Sequence, residues 1–345
     1  MRIVFMGTPD FAVPSLSALV QEGHEILAVF TQPDRPAGRG KQLKPSPVKV
    51  TALKLGLSVW QPENIKTPEV FELLCALVPE LIVVVAYGKK LPLEILSLPT
   101  KGCLNVHASL LPSYRGAAPI HWAVINGEIQ TGVTIMLMDE GLDTGDMLLR
   151  KACPVSQEAS TGEIHDTLAE MGGELLIQTI KAWTRGDLQA VGQLGESSYA
   201  PLLKRVHEWL DWSRSAVDLH NQIRGLNPWP GAFTTYQGEN VKVWQSSLIS
   251  QPLGQQKTDS NKQGISIQSE LESVVKDEST LEDLPNVNSV EKFGKVLKIV
   301  EDGIIIETGK GEILLRQVQP AGKRIMPARD FFLGRHGQTG EFLGT

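Results

Sequence analysis

Leu81-Ile82-Val83-Val84-Val85-Ala86 is an unbroken apolar run, and Tyr87-Gly88-Lys89-Lys90 follows it at once. Successive side chains of a strand leave opposite faces, so a run with no polar member describes a strand buried on both sides. That is the central strand of a parallel sheet. Its carboxyl end is where open α/β sheets receive ligands. Upstream, residues 2–6 read as a strand, Gly7-Thr8-Pro9-Asp10 as a turn, residues 11–22 as a helix closed by Gly23, and residues 26–31 as a second strand. Downstream, strands are expected over 102–107, 131–138 and 147–152. Helices are expected over 47–55, 68–77, 117–125 and 161–183. Six strands with interleaved helices predict an α/β unit over residues 1–185 with a Rossmann-like, doubly wound, mostly parallel sheet.

Beyond Arg185 the periodicity is lost, and Gly186, Gly192, Gly195 and Pro201 mark residues 186–205 as a linker. A helix over 215–226 ends at Asn227-Pro228-Trp229-Pro230, and short strands follow over 232–236, 241–248, 295–300, 304–308 and 313–318. The pattern predicts a smaller OB-like β-barrel domain over 206–335. Residues 250–292 interrupt it with 4 Lys/Arg against 8 Asp/Glu and few aromatics, the composition of a flexible acidic insertion.

The 345 residues are 41% hydrophobic with a net charge of −6, which describes a globular chain able to bury a real core. No apolar stretch is long enough to span a membrane, and the first loop at Gly7 comes too early for a signal peptide, so a cytoplasmic location is expected; the chain is also expected to act as a monomer. Cys75, Cys103 and Cys153 show neither disulfide nor zinc-ligand spacing and read as buried reduced thiols. No metal is expected.

Asn105 and His107 stand two apart on the strand over 102–107, so both side chains leave one face, and Asp143 returns in a loop bracketed by Gly141 and Gly145. An amide and an imidazole can donate to an oxyanion on a substrate carbonyl; a carboxylate can orient the imidazole, raise its pKa or relay a proton. From these residues alone a second reading stands, in which all three are satisfied polar groups at a strand end and a loop cap. No Ser or Cys is placed as a covalent nucleophile, which favours direct transfer between two substrates. Residues 32–49 read as a long structureless connection that carries Arg35, Arg39, Lys41, Lys44 and Lys49 against one acid, Asp34. Such a loop seeks anions or merely stays solvated. The first turn lacks Gly-x-Gly-x-x-Gly, which disfavours a dinucleotide oxidoreductase.

Met6-Gly7-Thr8-Pro9-Asp10-Phe11-Ala12, the run from Thr31 to Lys41, Asn105-Val106-His107-Ala108-Ser109-Leu110-Leu111-Pro112, Arg115 to Ile120, Gly141 to Met147, Asn227 to Pro230 and Gln319 to Lys323 together resemble the methionyl-tRNA formyltransferases, within the wider 10-formyltetrahydrofolate-dependent group. The resemblance implies formyl transfer from 10-formyltetrahydrofolate, as co-substrate, to the α-amine of methionine on initiator methionyl-tRNA. It makes Asn105, His107 and Asp143 the catalytic trio. It assigns Ser109, Leu110, Leu111 and Pro112 to folate contact, with Val85, Tyr87 and Gly88 as a second wall. Arg39 and Lys41 fall in the loop that approaches tRNA, and Lys323 and Arg324 are candidate tRNA contacts in the C-terminal domain. The alternatives are a formyltransferase acting on a small amine such as an amino sugar nucleotide, and a non-catalytic RNA-binding protein. The first would not require a second domain of this type; the intact trio disfavours the second.

Overall fold

A computed structural model describes residues 1–37, 42–249 and 293–344. Arg39, Lys41 and the expected insertion at 250–292 lie outside the described residues. The chain opens with β1 (Arg2–Gly7), a 3-10 turn at Asp10–Ala12, α1 (Val13–Gln21) and β2 (Glu25–Phe30). The connection that follows is not structureless: β3 (Arg35–Ala37) and β4 (Gln42–Lys44) pair as an antiparallel hairpin, and α2 (Pro47–Lys54) begins directly behind it. Then come β5 (Val59–Trp60), α3 (Pro68–Leu77), β6 (Leu81–Val85), α4 (Leu93–Leu96), β7 (Cys103–His107), β8 (Arg115–Gly116), α5 (Pro119–Ile125), β9 (Gln130–Leu137), β10 (Met147–Pro154) and α6 (Thr161–Arg185).

Seven strands form the main sheet in the order β10-β9-β7-β6-β1-β2-β5, one more than the sequence suggested. The addition is the two-residue edge strand β5, too short to show a period. β7, β6, β1, β2 and β5 run parallel, while β9 is antiparallel to both β7 and β10. Alternation divides each central strand between two cores. Ile3, Phe5, Leu81, Val83 and Val85 enter one, Val4, Met6, Ile82 and Val84 the other, all essentially inaccessible to water. Each such side chain contributes roughly 1.5–3 kcal/mol. The first face is closed by α1 and α6. Gly172 lets α6 approach so closely that a Cβ there would lie 2.9 Å from Val106, and Gly173 abuts the Pro14 backbone in the same way. α6 starts at a capping box in which Ser160 accepts from the Glu163 N–H and the Glu163 carboxylate accepts from Ser160.

After α6 the chain does not run free to the second unit. β11 (Tyr199–Ala200) pairs in parallel with β8, and Val191 bridges Met147. A turn at Arg205–Glu208 and α7 (Ala216–Gly225) lead into β12 (Ala232–Tyr236), β13 (Glu239–Leu248), β14 (Val296–Val300), β15 (Gly303–Glu307), β16 (Glu312–Pro320), β17 (Met326–Pro327) and α8 (Ala328–Gly334). These strands make an antiparallel six-stranded sheet, β12-β13-β16-β15-β14 with β17 on β16. Its core unites Leu219 and Ile223 of α7, Val243, Ile306 and Leu315 of the sheet, and Phe331 and Phe332 of α8. Of the three cysteines, Cys103 and Cys153 are buried but Cys75 is exposed, because α3 turns that residue away from the core that holds Leu74.

Candidate active site

β7 pairs with β6 so that Asn105 lies beside Val84, and the strand carries Asn105 and His107 to the carboxyl edge of the sheet. Leu104 and Val106 point into the core under α6, so Asn105 and His107 emerge on the opposite face. Asp143 arrives from the segment between β9 and β10 with φ +54, a left-handed conformation uncommon for residues other than glycine but better tolerated by Asp than by most. The loop is packed tightly at Gly145, where a Cβ would lie 1.7 Å from the Leu137 carbonyl oxygen.

The three side chains meet. Asn105 Nδ2 is 3.5 Å from Asp143 Oδ1, and His107 Nδ1 is 3.6 Å from Asp143 Oδ2. The Gly116 N–H donates to that same Oδ2 at 2.8 Å. His107 Nε2 stands 3.0 Å from the carbonyl oxygen of Tyr114. A carbonyl can only accept, so Nε2 carries a proton, and the nitrogen left for chemistry is Nδ1, on the Asp143 side. His107 is buried and Asp143 nearly so, which strengthens the field between them relative to water.

The segment after β7 turns its hydroxyl inward. Ser109 is fully buried and donates to the Ser113 carbonyl at 2.6 Å, while its own carbonyl accepts from Thr134 Oγ1 at 2.7 Å. Leu111 is also fully buried, its N–H bonded to Thr134 Oγ1. Leu110 and Pro112 remain half-buried and form the accessible part of the segment, which contains a cis Leu111–Pro112 peptide.

A cavity of about 390 Å³ opens over the carboxyl ends of β1, β2 and β6, with Thr8, Pro9, Gln32, Pro33, Ser46 and Ala86 among its walls. Gly88 lines it, and so does Tyr87, but the Tyr87 ring is turned into the core, 1% exposed, where burial pushes its hydroxyl up to about 12. What Tyr87 offers at the edge is its carbonyl, which accepts from Thr8 Oγ1 and Gln32 Nε2 and ties three strand ends together. Val85 is wholly buried and supports this wall from beneath. Of the basic residues nearby, Arg35 and Lys44 are exposed at the cavity rim. Lys49 is committed to Asp34 at 2.6 Å, and this contact, with a second from Gln61, holds the Asp34 carboxyl below its ordinary range.

In the C-terminal unit, Lys323 and Arg324 are exposed on the turn after β16, which Gln319 braces by donating to the Lys323 carbonyl. Arg316 is instead held by Ser247 and Asp302. Among the described residues no group of His, Cys, Asp and Glu has the geometry to hold a metal ion.

Sequence reasoning missed the groups that orient the trio: the Tyr114 carbonyl, the Gly116 N–H, Thr134 and Gln193. Their partners are remote in the chain or engage the backbone, so no spacing announces them.

A doubly wound sheet with an amide, an imidazole and a carboxylate converging at its carboxyl edge, followed by an antiparallel-sheet unit, defines a two-part α/β transferase. Residues 1–180 match the formyl transferase family and residues 203–336 its C-terminal domain. The methionyl-tRNA formyltransferase of Moorella thermoacetica is 48% identical over 345 residues, covering 100% of this chain and 99% of that protein. That of Pelotomaculum thermopropionicum is 46% identical over 344 residues with the same coverage. Among solved structures, WlaRD, a sugar 3N-formyl transferase crystallised with dTDP and 5-N-formyl-THF, shares the fold with a TM-score of 0.61 at 17% identity, covering 94% of this chain and 99% of that one. The chain belongs to the formyl transferase family.

Proposed function

We propose that this protein transfers the formyl group of 10-formyltetrahydrofolate to the α-amino group of methionine on initiator methionyl-tRNA, in the cytoplasm and as a monomer. The observation that carries the acceptor is similarity at 46–48% identity over essentially the full length of two methionyl-tRNA formyltransferases, C-terminal unit included. Among the described residues no helix is long and apolar enough to cross a membrane.

The residues at the sheet edge suit the donor. A cavity of about 390 Å³ is in the size range of small-molecule sites, and Pro9, Pro33, Pro47 and Ala86 give it apolar walls for a flat ring system. Leu110 and Pro112 lie on the other side of the trio, against β9 and β10, and offer a separate half-buried apolar surface.

A free α-amine has a pKa near about 8 and is a usable nucleophile near neutrality. As its nitrogen bonds to the formyl carbon, the carbonyl oxygen gains negative charge, which the Asn105 amide N–H is able to receive, joined by His107 Nδ1–H when the ring carries a proton on both nitrogens. The new bond leaves an excess proton on the amine nitrogen, and the Asp143 carboxylate is the acceptor within reach of the same centre. When the bond between the formyl carbon and N10 breaks, N10 takes a proton and the imidazole–carboxylate pair returns to its starting state. The Tyr114 carbonyl holds the imidazole in the one orientation that keeps Nδ1 toward Asp143.

The test is a formylation assay with 10-formyltetrahydrofolate and, separately, initiator methionyl-tRNA, elongator methionyl-tRNA and amino sugar nucleotides. Preference for the initiator is expected. Equal use of the elongator, or reaction with the sugars alone, would defeat this reading.

A further inference from the structure

The segment joining the two halves completes the active site. Gln193 is half-buried between the Asp143 loop and β8. Its Nε2 donates to the carbonyl oxygens of Asp143 and Gly145, both at 2.8 Å, and its Oε1 accepts from Arg115 Nε at 3.0 Å and Nη2 at 2.6 Å. The partners fix the orientation of the amide, because carbonyls only accept and a guanidinium only donates. All four bonding positions of the side chain are used.

These bonds act on Asp143 from two sides. One fixes its backbone in the left-handed conformation at φ +54. The other fixes Arg115, whose neighbour Gly116 donates its N–H to Asp143 Oδ2. The same segment reaches the histidine. Ser198 Oγ accepts from the Tyr114 N–H at 2.9 Å, and the Tyr114 carbonyl is the partner of His107 Nε2. Few side chains can replace Gln193. A carboxylate would satisfy Arg115 and repel both carbonyls, and Asn is one methylene too short to span the gap.

We infer that Gln193 is a positioning residue for formyl transfer, acting through Asp143: it holds the loop that presents the carboxylate and couples it to the Arg115–Gly116 strand. The inference rests on the reading of Asn105, His107 and Asp143 as the catalytic groups. It makes the connector between the two units part of the machinery of the first, so that the carboxylate is aligned only when the chain beyond α6 is docked.

The test uses the full-length chain with Gln193→Met and Gln193→Glu, each in the parent and in an Asp143→Asn background. In the parent background both substitutions are expected to lower kcat by about 10- to 100-fold, with KM for donor and acceptor changed by less than about threefold. A purely structural role would not give that split. In the Asp143→Asn background the same substitutions should cost less than about threefold further, because the group through which Gln193 acts is already disabled. Full additivity in the two backgrounds, or an unchanged kcat for Gln193→Met, would overturn the inference while leaving the trio intact. Undiminished turnover of Asp143→Asn itself would instead sink the reading of the trio, and this inference with it. Should Gln193→Met fold poorly, Gln193→Glu keeps the Arg115 bonds. Amide hydrogen exchange over residues 141–146 then reads the loop directly, with faster exchange expected and unchanged protection counting against the inference.

Discussion

His107 Nδ1 stands 3.6 Å from Asp143 Oδ2, while the other ring nitrogen is held at 3.0 Å by the carbonyl of Tyr114. The ring therefore has one nitrogen for structure and one for chemistry. At 3.6 Å the Asp143 contact is longer than a normal hydrogen bond and leaves room to tighten when a substrate excludes water. Asn105→Ala and His107→Ala should each lower kcat by about 100- to 1,000-fold. Donor affinity should hold, since the cavity walls lie on other strands. Calorimetric titration beside steady-state kinetics checks the separation, and near-normal turnover in both variants would remove them from the reaction.

Gly145→Ala tests the loop by steric means alone. The added methyl would sit 1.7 Å from the Leu137 carbonyl, so the backbone must move and take Asp143 with it. Turnover should fall by at least about 100-fold, as expected for a misplaced reacting group. A variant with parental kcat would show that the loop tolerates displacement.

The double substitution of Lys323 and Arg324 by Ala addresses the second unit. Both are exposed on the braced turn after β16. If they meet phosphates, KM for the charged tRNA rises, donor KM stays fixed, and the salt dependence of kcat/KM weakens by about one logarithmic slope unit per contact. Arg39→Ala in the basic connection should act in the same direction. An unaltered salt slope would return these cations to a solubility role.

Arg224 ties the two units together. It is 6% exposed, and its Nη1 donates to the carbonyls of Ser156 and Ala159, just ahead of α6, while Nε binds Asn221. Arg224→Met keeps the packing but leaves those carbonyls unpaired, and should cost on the order of 3 kcal/mol. Urea denaturation reads this; a loss under about 1 kcal/mol would mean that water replaces the guanidinium.

His220 predicts an acid-side weakness. It is buried against Ser246 and Gln157, and that burial lowers its pKa from the ordinary value of 6.5. Between 6.5 and the native value the unfolded chain binds a proton that the native protein refuses. Stability therefore falls as pH drops through 6.5 and levels off below the native value. His24, His121 and His207, whose pKa values burial also lowers, push the same way. Urea midpoints from pH 8 to about pH 5.5 should decline for the parent and decline less for His220→Gln; parallel curves would exclude His220 as a source.

The sequence by itself determined the central sheet and which residues its strands carry to each face. Local alternation is enough to sort Ile3 and Phe5 from Val4 and Met6, and Leu81, Val83 and Val85 from Ile82 and Val84, because each strand side chain must go to one face or the other. The same rule puts Asn105 and His107 on one face. Only the tertiary structure decided what stands opposite them. Tyr114, Gly116 and Gln193 reach the trio through backbone groups and across separations as large as 50 residues, and such contacts leave no period in the chain. For the same reason the sequence did not show that the Ser109 hydroxyl and the Tyr87 ring face inward, or that the stretch after α6 pairs with Met147 and with β8. Periodicity records which face an element buries; the partner on that face is set by how the elements are brought together.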